Sequence, residues 1–187
     1  LTSALSLSLY GTLDQNTTFF NQAQILTGNL NGTYNIICFT IAFAMIPLAK
    51  KLSAKKLHFL SLSIGGIGLL CMPFLNDVDI LFTLPFGNGI DISQIYLFSF
   101  GLGITWASMM AMPYQMLASS IPQGKTGIYM GIFNMFIVVP MIIQIFSVQY
   151  LVYDLLDQNP INIIRLAGIF LITGGLFSLF VSQPKTN

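Results

Sequence analysis

The amino-acid sequence predicts an all-α integral membrane protein. Hydrophobic residues make up 55% of the 187 residues and charged residues only 7%, whereas soluble domains carry about 25% charged residues. A backbone in lipid has no water to bond, so only helices and closed barrels cross a membrane. The apolar runs are continuous and do not alternate with polar residues, which indicates helices.

Five full spans and one partial span are predicted, because a helix needs about 20 apolar residues to cross the hydrocarbon core. Their ranges are about 1–10 (partial), 30–49, 57–75, 92–117, 127–152 and 161–181. Together they form one transmembrane bundle over residues 1–187. Leu1 is not an initiator Met, and the first run has the length of half a span. We therefore expect the chain to be a fragment whose first helix is truncated.

Charged side chains separate by sign between the two sides of the predicted bundle. The lysines fall on one side: Lys50, Lys51, Lys55, Lys56, Lys125 and Lys185. The acidic residues fall on the other: Asp14, Asp77, Asp79, Asp91, Asp154 and Asp157. Loops rich in Lys face the cytoplasm, so we expect the lysine side to be cytoplasmic. Arg165, four residues into the last run, is expected to reach the interface by snorkelling.

Polar residues form a stripe in the first full span. Asn31, Tyr34, Asn35 and Cys38 follow the spacing i, i+3, i+4, i+7 and so share one helix face. An amide without a partner in an apolar medium costs about 2–7 kcal/mol, which excludes a lipid-facing stripe. Two interpretations remain open, namely hydrogen bonding between helices and the wall of a watery cavity.

The stretch GITWASMMAMPYQML, residues 103–117, places Trp106 and Tyr114 on one face of an apolar run, with Pro113 beside them. Aromatic rings with polar tips can lie against the apolar face of a sugar ring, or they can simply fill space. The next run adds Asn134 and Gln144 near mid-depth.

Several other functions are not expected from the sequence. SSIPQGKT, residues 119–126, resembles a phosphate-binding loop, but Ser119 replaces the first Gly and Pro122 interrupts the pattern. His58, the only histidine, lies beside lysines without a Cys or carboxylate cluster, so we expect an interfacial residue and no metal site. We also expect no catalytic residues, no cofactor and no nucleic-acid partner.

Residues 103–140, GITWASMMAMPYQMLASSIPQGKTGIYMGIFNMFIVVP, resemble helices ten and eleven of the sugar/cation symporter branch of the major facilitator superfamily. This branch holds bacterial maltose-type and plant sucrose-type transporters. TYN at 33–35 resembles the eighth helix of that branch, and YGT at 10–12 resembles the outer end of the seventh. The resemblance implies the C-terminal six-helix half of a twelve-helix fold. The lipid bilayer and the N-terminal half of the same chain would be its partners.

The resemblance also implies secondary active transport of a disaccharide-like sugar with a proton or sodium ion, in a bacterial inner membrane. Its cavity-lining residues would be Asn35, Trp106, Tyr114, Asn134 and Gln144. No Asp or Glu lies inside a span, so a membrane carboxylate for proton coupling would have to lie elsewhere in the protein. Transport of another solute, drug efflux and a non-transporting sensor are the alternatives.

Two positions depart from the family pattern. Met141 stands where similar proteins carry Gln after the proline of the eleventh helix, and the nearest glutamine is Gln144. Lys50 stands at the acidic position of the gate motif between helices eight and nine. The first departure bears on sugar specificity and the second on a charge-relay gate in this half.

Overall fold

The computed structural model describes residues 1–85, 90–122 and 124–182. The tail QPKTN with Lys185, and Gln123 of the loop SSIPQGKT, lie outside these ranges. The described chain is mostly helical. The longer helices are α1 (Thr2–Tyr10), α2 (Thr18–Leu52), α3 (Ala54–Cys71), α4 (Tyr96–Ala118), α5 (Thr126–Ser147) and α7 (Pro160–Ser178). A 3-10 turn, Met72–Phe74, extends α3, while a π-helical turn, Val148–Val152, and the short α6, Tyr153–Leu155, extend α5.

Four helices in the described ranges are long and apolar enough to cross a membrane: Thr18–Leu52, Ala54–Phe74, Thr126–Leu155 and Pro160–Ser178. This is consistent with an integral membrane protein. Helix α4 has 23 residues, enough for a span, but its Ser, Thr, Tyr and Gln side chains reduce its hydropathy, and it is not among the four. It lies inside the bundle, where a polar residue can find a helical partner.

A β-hairpin departs from the all-helical prediction. Strand β1 (Ile80–Leu84) pairs antiparallel with β2 (Ile90–Ser93), with Thr83 opposite Asp91. The predicted span at 92–117 therefore begins inside a strand, and its helix starts only at Tyr96. The sequence IDIS alternates apolar and polar residues, which is the strand period. Asn76 begins the hairpin, because its Oδ1 accepts from the Val78 and Asp79 amides at 3.1 and 2.8 Å.

Helix α2 is longer than the predicted span 30–49 and begins at Thr18. The Thr17 hydroxyl caps it by accepting from the Phe20 amide at 3.2 Å, which satisfies one of the free amides of the first turn. Lys50 and Lys51 lie in its last turn, where positive charge is favoured by the helix dipole.

Helix α3 is central, since it packs on both α4 and α7, while α2 packs on α4. The α3 and α7 backbones meet at two glycines. A Cβ atom on Gly66 would lie 2.7 Å from the Gly168 carbonyl oxygen, and one on Gly168 would lie 2.8 Å from that of Gly66. Glycine at both positions is therefore what permits this crossing.

Two clusters of buried side chains fill the bundle near its opposite ends. One lies near the hairpin and includes Leu5, Leu30, Met72 and Phe98. The other lies near the lysine-rich turn and consists of Met45, Ala49, Ala54, Leu57, Ala107, Met112 and Met116. Helix α5 belongs to neither cluster, and none of its residues is buried.

Candidate functional site

A cavity of about 700 Å³ lies between α2, α4, the end of α5 and α7. Its polar lining consists of Asn31, Tyr34, Thr105, Trp106 and Gln144. The apolar lining includes five residues of α7: Ile163, Leu166, Ala167, Phe170 and Leu171. Such a volume is within the range of small-molecule sites in proteins, about 300–1,000 Å³.

Helices α2 and α4 supply the polar wall. Asn31 and Tyr34 are three residues apart on α2, so both side chains lie on the same helix face. On α4, Thr105 is buried and its hydroxyl donates to the Ser61 carbonyl of α3 at 2.7 Å. That bond fixes α4 against α3 immediately beside Trp106, which is 43% exposed and available to a ligand.

The end of α5 closes another side. Gln144, Val148 and Val152 line the cavity at intervals of four residues, running from the α-helix into the π-helical turn Val148–Val152. A π-helical turn interrupts the regular hydrogen-bond ladder, and such turns are frequent at functional sites. The turn lies where α5 meets the cavity.

The chemistry of the lining favours a neutral ligand. Among the described residues that line the cavity there is no Asp, Glu, Lys, Arg or His. An uncompensated ionic group would lose its hydration there at high cost. The lining offers one indole ring, hydroxyls and amides, which suit a ligand that combines an apolar face with hydroxyl groups. Within the described chain, no group of three or more His, Cys, Asp or Glu is placed to hold a metal ion.

Comparison with protein-family models, with curated proteins and with solved structures finds no match for this chain.

The structure brings two of the predicted site residues to this cavity, Trp106 and Gln144. They come from different helices and are joined by tertiary packing. Asn35 is exposed on α2, and its amide donates to the Asn31 carbonyl of the same helix at 2.7 Å. The amide of Asn35 therefore has a local partner.

Tyr114 and Asn134, also predicted, form a pair outside this cavity. The Tyr114 hydroxyl donates to Asn134 Oδ1 at 2.6 Å, and the Tyr114 ring meets Phe133 edge-on at 5.0 Å between centroids. Asn134 is exposed. These contacts connect α4 to α5.

Some residues that line the cavity are not predicted as site residues from the sequence. Asn31 and Tyr34 belong to the polar stripe, of which the sequence predicts only Asn35 as a site residue. The α7 residues were missed entirely, although Ile163, Leu166, Phe170 and their neighbours follow a helical spacing. An apolar face of this kind is indistinguishable in sequence from one that faces lipid or a neighbouring helix.

A second cavity, of about 500 Å³, lies at the hairpin between α1, α2 and the start of α4. Asp77 and Asp91 line it, but both carboxylates are engaged by hydroxyls. Asp77 Oδ1 accepts from Ser93 at 2.6 Å and Asp91 Oδ1 accepts from Thr83 at 2.7 Å. These acidic residues hold the hairpin together.

His58, predicted to be an interfacial residue, has a partner on the neighbouring helix α4. Its side chain is buried, and Nδ1 lies 2.9 Å from the hydroxyl of Ser108, which has no exposed surface. The pair joins α3 to α4 near the lysine-rich turn. Its burial results from the packing of α4 over α3, which the sequence of α3 alone does not reveal.

Proposed function

We propose that the chain is the C-terminal six-helix half of a secondary transporter of the major facilitator type that carries a disaccharide-like sugar with a proton or sodium ion. One observation carries the proposal. Trp106, Asn31, Tyr34 and Gln144 converge on one cavity with no charged lining among the described residues. The resemblance of residues 103–140 to the sugar/cation symporter branch points to the same function.

The cavity has the properties that such a substrate requires. A sugar presents a flat apolar face, which suits the Trp106 ring, and a rim of hydroxyls, which suits amide and hydroxyl partners. Because none of the described lining residues is charged, the coupling ion would bind elsewhere in the full protein. That agrees with the absence of Asp and Glu from the predicted spans; Asp154 lies at the end of the helix Thr126–Leu155.

Alternating access would rock this bundle against the N-terminal half of the same chain, around a site near the middle of the bilayer. The unburied α5, which carries Asn134 and Gln144, suits a surface that contacts that half. We infer that the lysine-rich turns are cytoplasmic, on the positive-inside rule, and the resemblance to the symporter branch supports a bacterial inner membrane.

Uptake of radiolabelled maltose and sucrose into vesicles that contain the full-length protein tests the proposal. We expect Trp106→Ala and Gln144→Ala to lower uptake at least about tenfold, which corresponds to a loss of about 1.4 kcal/mol of interaction. The matched controls are Phe100→Ala and Gln115→Ala, exposed residues of α4 that do not line the cavity, and these should transport as the wild type does. Equal loss in variants and controls, or no uptake of either sugar, would contradict the proposal.

A second candidate is transport of an apolar solute, as in drug efflux. The apolar face that α7 contributes, including Phe170 and Leu171, supports it. Accumulation of a neutral lipophilic dye in cells decides between the two. If dye export depends on Phe170 while neither sugar is taken up, the second candidate is correct.

A further inference from the structure

We propose that His58 is a pH-responsive positioning residue, which acts on the cavity through α4 and weakens the hold on the solute when it binds a proton. The inference rests on the proposed function for its solute. It does not need the identity of the coupling ion.

Two polar contacts between α3 and α4 connect His58 to the cavity. In the first, His58 Nδ1 lies 2.9 Å from Ser108 Oγ. In the second, one helical turn later on α3 and one turn earlier on α4, the Thr105 hydroxyl donates to the Ser61 carbonyl at 2.7 Å. Thr105 lines the cavity next to Trp106, so the second contact forms part of the cavity wall.

The side chains at the second contact are tightly packed. Thr105 sits directly against Gly65, and a side chain there would overlap the threonine. Ser108, Thr105 and Ser61 are all at most 2% exposed. A change of spacing at His58 therefore moves Thr105, because close-packed interiors transmit displacement and do not absorb it.

Binding a proton changes what His58 can do. A neutral imidazole has one donor and one acceptor nitrogen, so Ser108 can donate to it or accept from it. In the imidazolium both nitrogens donate, and Ser108 Oγ must accept. The Ser108 hydroxyl would then turn to the carbonyl one helical turn earlier, that of Ile104. The His58 side chain is 8% exposed, so a proton can reach it.

The surroundings make the imidazolium costly. Among the described residues, the charged groups near this end are Lys50 and Lys51 on α2, Lys55 and Lys56 on α3 and Lys125 at the start of α5, all of the same sign as the imidazolium. Helix α4 has no charged side chain, and the Arg165 of α7 lies near the opposite end of the bundle. The other titratable groups of α4 are the phenols of Tyr96 and Tyr114. A buried charge without a counter-ion among the described residues is unfavourable, so protonation should push α3 and α4 apart at this end.

Equilibrium binding of radiolabelled sucrose and maltose to the full-length protein in nanodiscs tests the inference, at about pH 4.5 and about pH 8. The lower value lies well below the ordinary pKa of histidine, about 6.5, because a costly imidazolium forms only at acid pH. The wild type should bind about fivefold or more weakly at the acid pH, the lower limit of typical coupling between two sites. His58→Gln keeps a donor for Ser108 but does not titrate, and it should bind equally at both pH values. Ser63→Ala, which removes a buried hydroxyl of α3 without a hydrogen-bond partner in the described part of the chain, is the control and should respond as the wild type does.

Hydrogen–deuterium exchange over residues 103–110 gives a readout that needs no solute. The difference between wild type and His58→Gln at each pH removes the chemical effect of pH on exchange. We expect faster exchange in the wild type at acid pH only. The same difference should be absent in Ser108→Ala, a smaller substitution that replaces His58→Gln in the test if that variant does not fold. Sugar binding without this difference would overturn the inference and leave the proposed function standing. The difference without sugar binding would support the coupling of His58 to the cavity wall and overturn the proposed function.

Discussion

The Tyr114 hydroxyl donates to Asn134 Oδ1 at 2.6 Å and so connects α4, inside the bundle, to α5, none of whose residues is buried. The Tyr114 ring adds an edge-on contact with Phe133. In membrane proteins a hydrogen bond between helices contributes about 0.6 kcal/mol on average. The Tyr114–Asn134 hydrogen bond therefore contributes more to the orientation of α5 than to the stability of the fold.

We expect a double-mutant cycle of Tyr114→Phe and Asn134→Ala to give a coupling free energy near that average, measured by reversible unfolding of the full-length protein in mixed micelles. Tyr114→Phe keeps the ring contact and removes only the hydroxyl. Tyr129→Phe, at an exposed tyrosine of α5, is the control for the loss of a tyrosine hydroxyl group. Additive single effects would show that the bond is not maintained in solution.

Gly168→Ala should destabilise the protein by about 1–3 kcal/mol, because its methyl group would lie 2.8 Å from the Gly66 carbonyl oxygen and would force α7 away from α3. Thermal unfolding measures the effect. Gly174→Ala on the same helix is the control, since a Cβ atom there has open space around it and alanine favours the helix. Equal melting temperatures for the two variants would mean that the backbones do not approach at Gly168.

Thr105→Val should destabilise the protein by about 1–3 kcal/mol and weaken solute binding, because it leaves the buried Ser61 carbonyl without its hydroxyl partner and removes a polar group from the cavity wall. Thr173→Val is the matched control. Thr173 is exposed on α7 and donates only to carbonyls of its own helix, that of Ile169 at 3.0 Å among them. Chemical unfolding and sugar binding are the two measurements. An effect on stability without one on binding would remove Thr105 from the site.

Lys55→Ala should loosen the end of α7, because Lys55 Nζ donates to the carbonyls of Leu179 and Val181, both at 3.3 Å. Carbonyls at a helix end have no partner within the helix, and a cation there also complements the helix dipole. Hydrogen–deuterium exchange over residues 176–182 should accelerate. Lys56→Ala, one residue further along and exposed, should leave that exchange unchanged. Faster exchange in both variants would indicate a general charge effect.

The apolar runs of the sequence were enough to locate the helices. Length and hydropathy act within a single segment, so α3, α5 and α7 begin within three residues of the predicted spans. The hairpin was missed because strand β2 continues into the apolar start of α4, and a window of span length averages over the alternation of its four residues. The extra turns of α2 before residue 30 were missed because they contain polar residues, which helix propensity and a Thr17 cap accommodate.

Tertiary structure decided which polar residues act together. Trp106 and Gln144 meet at one cavity although they are far apart in the chain, whereas Asn35 and Asn31, on the same helix face, have different surroundings. Periodicity within one helix identifies a face but not the neighbour that covers it. For the same reason His58 was predicted at the interface and lies buried against Ser108, a residue of another helix. The contacts that give these side chains their chemistry are between helices, and only the packing of the whole bundle determines them.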